Sequence, residues 1–172
     1  SLSVIKTVAN PDKMAKRFEA SVLGNLGGVY LFLGEPQRAL QYHTDALGIW
    51  QTLNDADFLD GQADAHQKIA TVYSYLGQKR EALKRYEQAL AIFRQASPHI
   101  KTLMRNRTSE AGIFNAIGVV HAQLGENRQA LSYYNQALKT AVDAWTRRRG
   151  LTHRAAAVNG LPMIVSGLMK FS

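Results

Sequence analysis

The chain has no cysteine among its 172 residues. That absence excludes a disulfide scaffold, a thiolate metal site and a cysteine nucleophile together. No apolar run approaches the roughly 20 residues needed to span a bilayer. The opening Ser1-Leu2-Ser3-Val4-Ile5-Lys6 places no charged region ahead of a hydrophobic stretch, so no secretory signal is expected. Also missing are a phosphate loop, a metalloprotease helix motif and a nucleophile elbow. Acidic residues are the scarcer charge, 13 against 21 basic, for a net charge of +8. What is plentiful is apolar side chain, at 46% of residues, enough to bury a core and too much for a disordered chain. The length fits one domain or a short repeat array. The expectation is a cytoplasmic, intracellular segment of a longer chain, since no initiator Met is present.

Internal repetition organises the sequence. Leu33-Gly34, Leu76-Gly77 and Leu124-Gly125 can be aligned, and their flanks fall into register. Seven residues before each glycine stands a small residue (Gly27, Ala70, Gly118), and four before it a ring (Tyr30, Tyr73, His121). Five residues after it comes Ala-Leu, at Ala39-Leu40, Ala82-Leu83 and Ala130-Leu131. A second ring follows at His43, Tyr86 and Tyr134, then a second Ala-Leu at Ala46-Leu47, Ala89-Leu90 and Ala137-Leu138. The glycines are 43 and 48 residues apart, and a faint fourth copy follows at 44, where Leu168-Met169 replaces Leu-Gly.

Each copy reads as two amphipathic helices, because its apolar residues recur in steps of three and four, as at Ile69, Val72-Tyr73 and Leu76 and then Leu83, Tyr86, Leu90 and Phe93. The glycine between them supplies the left-handed residue that ends the first helix. The small residue in the first helix and the alanines in the second let the pair approach closely, with rings filling the gaps between neighbouring pairs. Asn10-Pro11-Asp12 has the signals of a helix start, and Ser97-Pro98 repeats them. Pro162 interrupts the fourth copy, since a proline inside a helix costs about 3 kcal/mol.

The runs Asn25 to Glu35 with Ala39-Leu40 and Ala46-Leu47, Ile69 to Ile92, and Ile117 to Leu138 resemble tetratricopeptide repeats. The spacing above 40 residues is similar to the long-repeat branch, which includes kinesin light chains, spindle adaptors and bacterial arrays set before a caspase-like protease. The resemblance implies an all-α fold, a right-handed α-α superhelix of three full helical hairpins and a terminal partial one. Its repeats would span 12–54, 57–97 and 98–149, with a partial repeat at 152–172 and an N-terminal extension or remnant of a preceding helix at 1–10. Departures from the family pattern are His43 and His121 at aromatic positions and Pro162 at a small one.

The same resemblance implies a non-catalytic protein- or peptide-binding scaffold, whose ligand lies on the concave face lined by the first helix of each repeat. Carried over, the groove positions are Gly24, Asn25 and Gly28 in the first copy. The second contributes Asp64, Gln67, Lys68, Thr71 and Tyr75. From the third come Asn115, Val119, Ala122 and Gln123, and from the partial fourth Asn159. The amides of Asn25, Gln67, Asn115 and Asn159 can both donate to and accept from a peptide backbone, although ordinary polar exposure accounts for them equally well. Three glycines at 24, 27 and 28 within one helix cost about 1 kcal/mol each. Gly24 and Gly28 are one turn apart on the groove side, where they admit another backbone, whether a ligand's or the chain's own first ten residues. The family's charged clamp for C-terminal carboxylates is not reproduced, because the corresponding positions hold Gly24, Gly28, Lys68, Gly112 and Ala116.

No catalytic set, metal site or cofactor is expected. The five histidines form no pair at helical spacing, and Asp55, Asp57, Asp60 and Asp64 read as a solvated, helix-starting turn without the spacing of a calcium loop. Charge is unevenly spread. Residues 1–94 carry a net charge of +1 and residues 95–172 a net charge of +7. The excess gathers at Lys101, Arg105 and Arg107, and at Arg147, Arg148, Arg149 and Arg154, a basic edge that would steer an acidic protein or peptide. Two alternatives stand beside the scaffold. One is the sensor segment of a larger protease, kinase or transcription factor. The other is a basic RNA- or DNA-binding solenoid, disfavoured because no aromatic residues interleave with the arginines.

Overall fold

A computed structural model describes residues 11–53, 58–95 and 110–148. All regular structure among them is helical: α1 Pro11–Phe32, α2 Pro36–Leu53, α3 Leu59–Tyr75, α4 Lys79–Gln95, α5 Glu110–Gln123 and α6 Asn127–Arg148. The partial repeat expected at 152–172 and the extension at 1–10 lie outside the described residues, as do Ser97-Pro98. α1 begins at Pro11 with Asp12 in its first turn, where a fixed φ and an acidic side chain suit the exposed amides of a helix start.

The three Leu-Gly pairs are the hairpin corners. Gly34, Gly77 and Gly125 have φ of 76°, 76° and 77°, the left-handed conformation that costs glycine nothing and other residues about 1–2 kcal/mol. Each corner closes with the same two bonds. The Gly34 amide donates to the Leu31 carbonyl and the Glu35 amide reaches back to Tyr30; Gly77 and Gln78 bond Ser74 and Tyr73, and Gly125 and Glu126 bond Ala122 and His121. This double closure satisfies carbonyls that the helix end would leave open.

α1 pairs with α2, α3 with α4 and α5 with α6, while α2 packs on α3 and α4 on α5. The result is an all-α solenoid of adjacent hairpins. Two clusters form its core. The first joins Ala20 of α1 and Ala46, Leu47, Trp50 and Leu53 of α2 to Phe58 and to Ala65 and Ile69 of α3. The second joins Ala63 and Ala70 of α3 and Tyr86, Ala89, Leu90 and Phe93 of α4 to Ile113, Phe114 and Ile117 of α5. Tyr73 is half-buried and packs against both, so it links the first seam to the second. Complete burial of Ile69, Ile113 and Ile117 contributes about 1.5–3 kcal/mol per side chain.

In the first and third hairpins the small residue of the first helix is a receiving site for a ring from its own partner. A Cβ on Gly27 would lie 2.5 Å from the His43 ring, and one on Gly118 2.8 Å from Tyr134. These rings therefore fill gaps within a hairpin, where gaps between hairpins were expected. Between hairpins the same device recurs with Trp50, whose indole occupies the space that a Cβ on Gly61 would need.

Candidate functional site

The α1–α2 hairpin and α3 enclose a cavity of about 210 Å³. Ala20, Ser21, Gly24 and Asn25 of α1 form one wall, and Asp64, Ala65 and Lys68 of α3 the other. His43, Ala46 and Trp50 of α2 form the floor. Helical spacing explains the arrangement: 20, 24 and 21, 25 share one side of α1, and 64, 65 and 68 share one side of α3. Gly24 leaves the space open. It is buried, and a Cβ there would meet only the flexible end of Lys68, at 3.5 Å.

Electrostatically the cavity is a balanced site. Lys68 Nζ lies 2.8 Å from an Asp64 carboxylate oxygen, one helical turn away. Asn25 is exposed at the rim, and Ser21 donates its hydroxyl to the Arg17 carbonyl, leaving oxygen lone pairs free. On the floor His43 is almost wholly buried, and its Nδ1 has no hydrogen-bond partner. Burial holds the His43 pKa down at about 4; the Lys68 ammonium pushes the same way and the Asp64 carboxylate opposes it. The ring is thus neutral at pH 7 and offers one donor and one acceptor. The site presents donors and acceptors together, and this suits polar groups such as backbone amides and carboxamides.

Of the expected groove residues, the cavity brings together Gly24, Asn25, Asp64 and Lys68. Gly28, Thr71, Tyr75, Asn115, Val119, Ala122 and Gln123 are exposed outside it. A Cβ on Gly28 would touch nothing. The Thr71 hydroxyl donates to the Gln67 carbonyl and lies 3.1 Å from the Tyr86 hydroxyl; Gln67 itself is half-buried, with Oε1 unpartnered. Asn159, Lys101, Arg105, Arg107, Arg149 and Arg154 fall outside the described residues, and so do the side chains of Arg147 and Arg148 at the end of α6.

Sequence reasoning missed the floor. His43, Ala46 and Trp50 belong to the second helix of the first hairpin, read as packing alone. One signal was available: His43 stands where the other copies carry Tyr86 and Tyr134, so a polar ring replaces a phenol. A second buried polar group was also missed. His66 of α3 has its pKa lowered to about 4 by burial and then by Arg85. His66 Nδ1, Arg85 Nε and Gln88 Oε1 are all buried without partners.

Among the described residues no group of three or more His, Asp or Glu side chains is placed to hold a metal. No helix there is long and apolar enough to cross a membrane.

Comparison with known proteins agrees with this architecture. Sequence profiles of the tetratricopeptide repeat match residues 18–95 and 111–141, together 109 of the 172 residues. The crystal structure of the tetratricopeptide repeat domain of Arabidopsis FLU is similar, with a TM-score of 0.58 and 21% identity over 72% of this chain and 95% of that one. The crystal structure of MamA aligns over 84% of this chain and 86% of that one, at 21% identity and a TM-score of 0.40. The likeness to FLU is one of fold. No curated protein matches the chain.

Proposed function

Because this chain belongs to the tetratricopeptide repeat family, whose domains generally mediate protein–protein contacts, we propose that it is a non-catalytic scaffold holding an extended protein segment along the concave side formed by α1, α3 and α5. The observation that carries this reading is the cavity where Gly24, Asn25, Asp64 and Lys68 converge over the buried His43. A residue of the bound segment enters there, and its polar group meets the Lys68–Asp64 pair and the Asn25 amide. The segment then runs past Gln67 and Thr71 of α3 toward Asn115 and Val119 of α5. Gln67 and Asn115 occupy the register of Gly24, and Thr71 and Val119 that of Gly28.

An array of immobilised random peptides, probed with the labelled chain, tests this. The control is Gly24→Leu, which fills the cavity with a side chain. The substitution replaces a poor helix former with a good one, so the helix gains about 0.8 kcal/mol and the variant stays folded. The proposal requires a reproducible set of bound peptides that Gly24→Leu loses. Equal binding by both proteins contradicts it.

A further inference from the structure

The cavity between α1 and α3 carries its charge as a pair. Of the residues that line it, Asp64 and Lys68 alone are ionised at pH 7, since His43 is neutral there. Their charged atoms are 2.8 Å apart, so the site is neutral as a whole but negative at one point and positive at the next. The pair is also set inward. Lys68 Nζ lies 3.5 Å from the place of a Gly24 Cβ on the opposite wall, and the Asp64 side chain is only 19% exposed.

Such a pair discriminates among entering groups. A charged side chain is attracted by one member and repelled by the other at nearly the same distance, and it gives up hydration to get there. A hydroxyl offers a single atom to two partners. A backbone amide can satisfy one of them but not both, because a trans peptide points its C=O and N–H in opposite directions. In a primary carboxamide the oxygen and one N–H lie side by side on one planar edge. The oxygen accepts from the Lys68 ammonium, which has three protons and gives one to Asp64. The N–H donates to the Asp64 carboxylate, whose two oxygens have lone pairs to spare. Ser21 and Asn25 line the same space with partners for the second N–H and the second lone pair. The volume of about 210 Å³ is the liquid share of about seven waters, room for an asparagine or glutamine side chain.

The second seam does not repeat this arrangement. There the register of Asp64 and Lys68 holds Gly112 and Ala116, and that of Gly24 and His43 holds Gln67 and Tyr86. The charge pair is gone, and larger side chains stand where the first seam has Gly24 and the smaller ring of His43. One residue of a bound segment is therefore read in this way, and its neighbours along the array are not.

We propose that the cavity selects a single asparagine or glutamine of the bound segment, its carboxamide bridging Lys68 and Asp64. The inference rests on the scaffold function proposed above and adds to it the identity of the anchoring residue. Lys68 is 36% exposed, so solvent screens part of the charge, and the preference over glutamate or lysine is about tenfold.

The test starts from peptides that the array selects. Each position is replaced in turn by Gln, Glu and Lys, and affinities are measured by fluorescence polarisation for the wild-type chain, Asp64→Asn and Lys68→Met. Asp and Asn have similar helix propensity, as do Lys and Met, so both variants stay folded. The wild-type chain should show one position at which a carboxamide binds about tenfold better than either charge. Asp64→Asn leaves the ammonium without its counter-charge, and Glu should overtake Gln at that position. Lys68→Met leaves the carboxylate bare, and Lys should overtake Gln there. Peptides that bind and that Gly24→Leu loses, but that show no carboxamide preference or keep the same preference in both variants, overturn the inference and leave the scaffold function standing. An array with no bound peptide overturns both.

Discussion

Acid should weaken this fold well above the pH at which most proteins fail, and the cause is two buried imidazoles. His43 and His66 are both held at about 4, against 6.5 for a free ring, chiefly by burial. The sign follows from proton uptake. Between 6.5 and about 4 the unfolded rings take protons that the folded rings refuse, so stability is complete above pH 6.5 and falls with pH until about 4. Integrated from pH 7 to pH 5, linkage gives a loss of about 2 kcal/mol for each ring. For a fold worth about 5–15 kcal/mol in all, that is a large share. The control is His43→Tyr. Tyr134 stands at the same register opposite Gly118, as His43 stands opposite Gly27, so the phenol has room and the titration is removed. Urea unfolding followed by far-UV circular dichroism at pH 7 and pH 5 would measure it. His43→Tyr should lose about half as much stability as the wild type over that interval, with His66 supplying the remainder. Equal losses in the two proteins would refute the argument that His43 is neutral because it is buried.

Gly118→Leu should overpack the third hairpin, because its Cβ would stand 2.8 Å from the Tyr134 ring and 3.3 Å from the Ala130 carbonyl; a cost of about 1–3 kcal/mol is expected in chemical denaturation. An unchanged midpoint would place Gly118 elsewhere than on the inner face. Asn115→Ala removes an exposed amide of α5 from the proposed groove and should weaken a bound peptide in calorimetry while leaving the melting curve in place. Unaltered affinity would count against α5 as part of the groove.

The hairpins could be read from the sequence because their corners are chemically constrained. A left-handed residue is needed at 34, 77 and 125, and glycine marks it; the ring and the small residue of each copy then appear at fixed distances from that mark. Tyr73 and Tyr86 are rings that the packing needs, and they lie in the core as the repeat pattern implies. The cavity was only half legible. Gly24, Asn25, Asp64 and Lys68 came from matching positions on first helices, but the approach of Lys68 to Gly24 joins residues on different repeats. The floor came from α2, where Trp50 reaches to Gly61 of α3. No period within one helix encodes that contact, because it depends on how two hairpins are set against each other.

The most direct test of the binding account is to titrate an isotope-labelled chain with a peptide selected on the array and to map amide shifts by NMR. Shifts concentrated on α1 around Gly24 and Asn25, on α3 around Asp64 to Thr71, and on α5 around Asn115 and Val119 are the predicted result. Shifts confined to the outward sides of α2, α4 and α6, with α1, α3 and α5 silent, would contradict it.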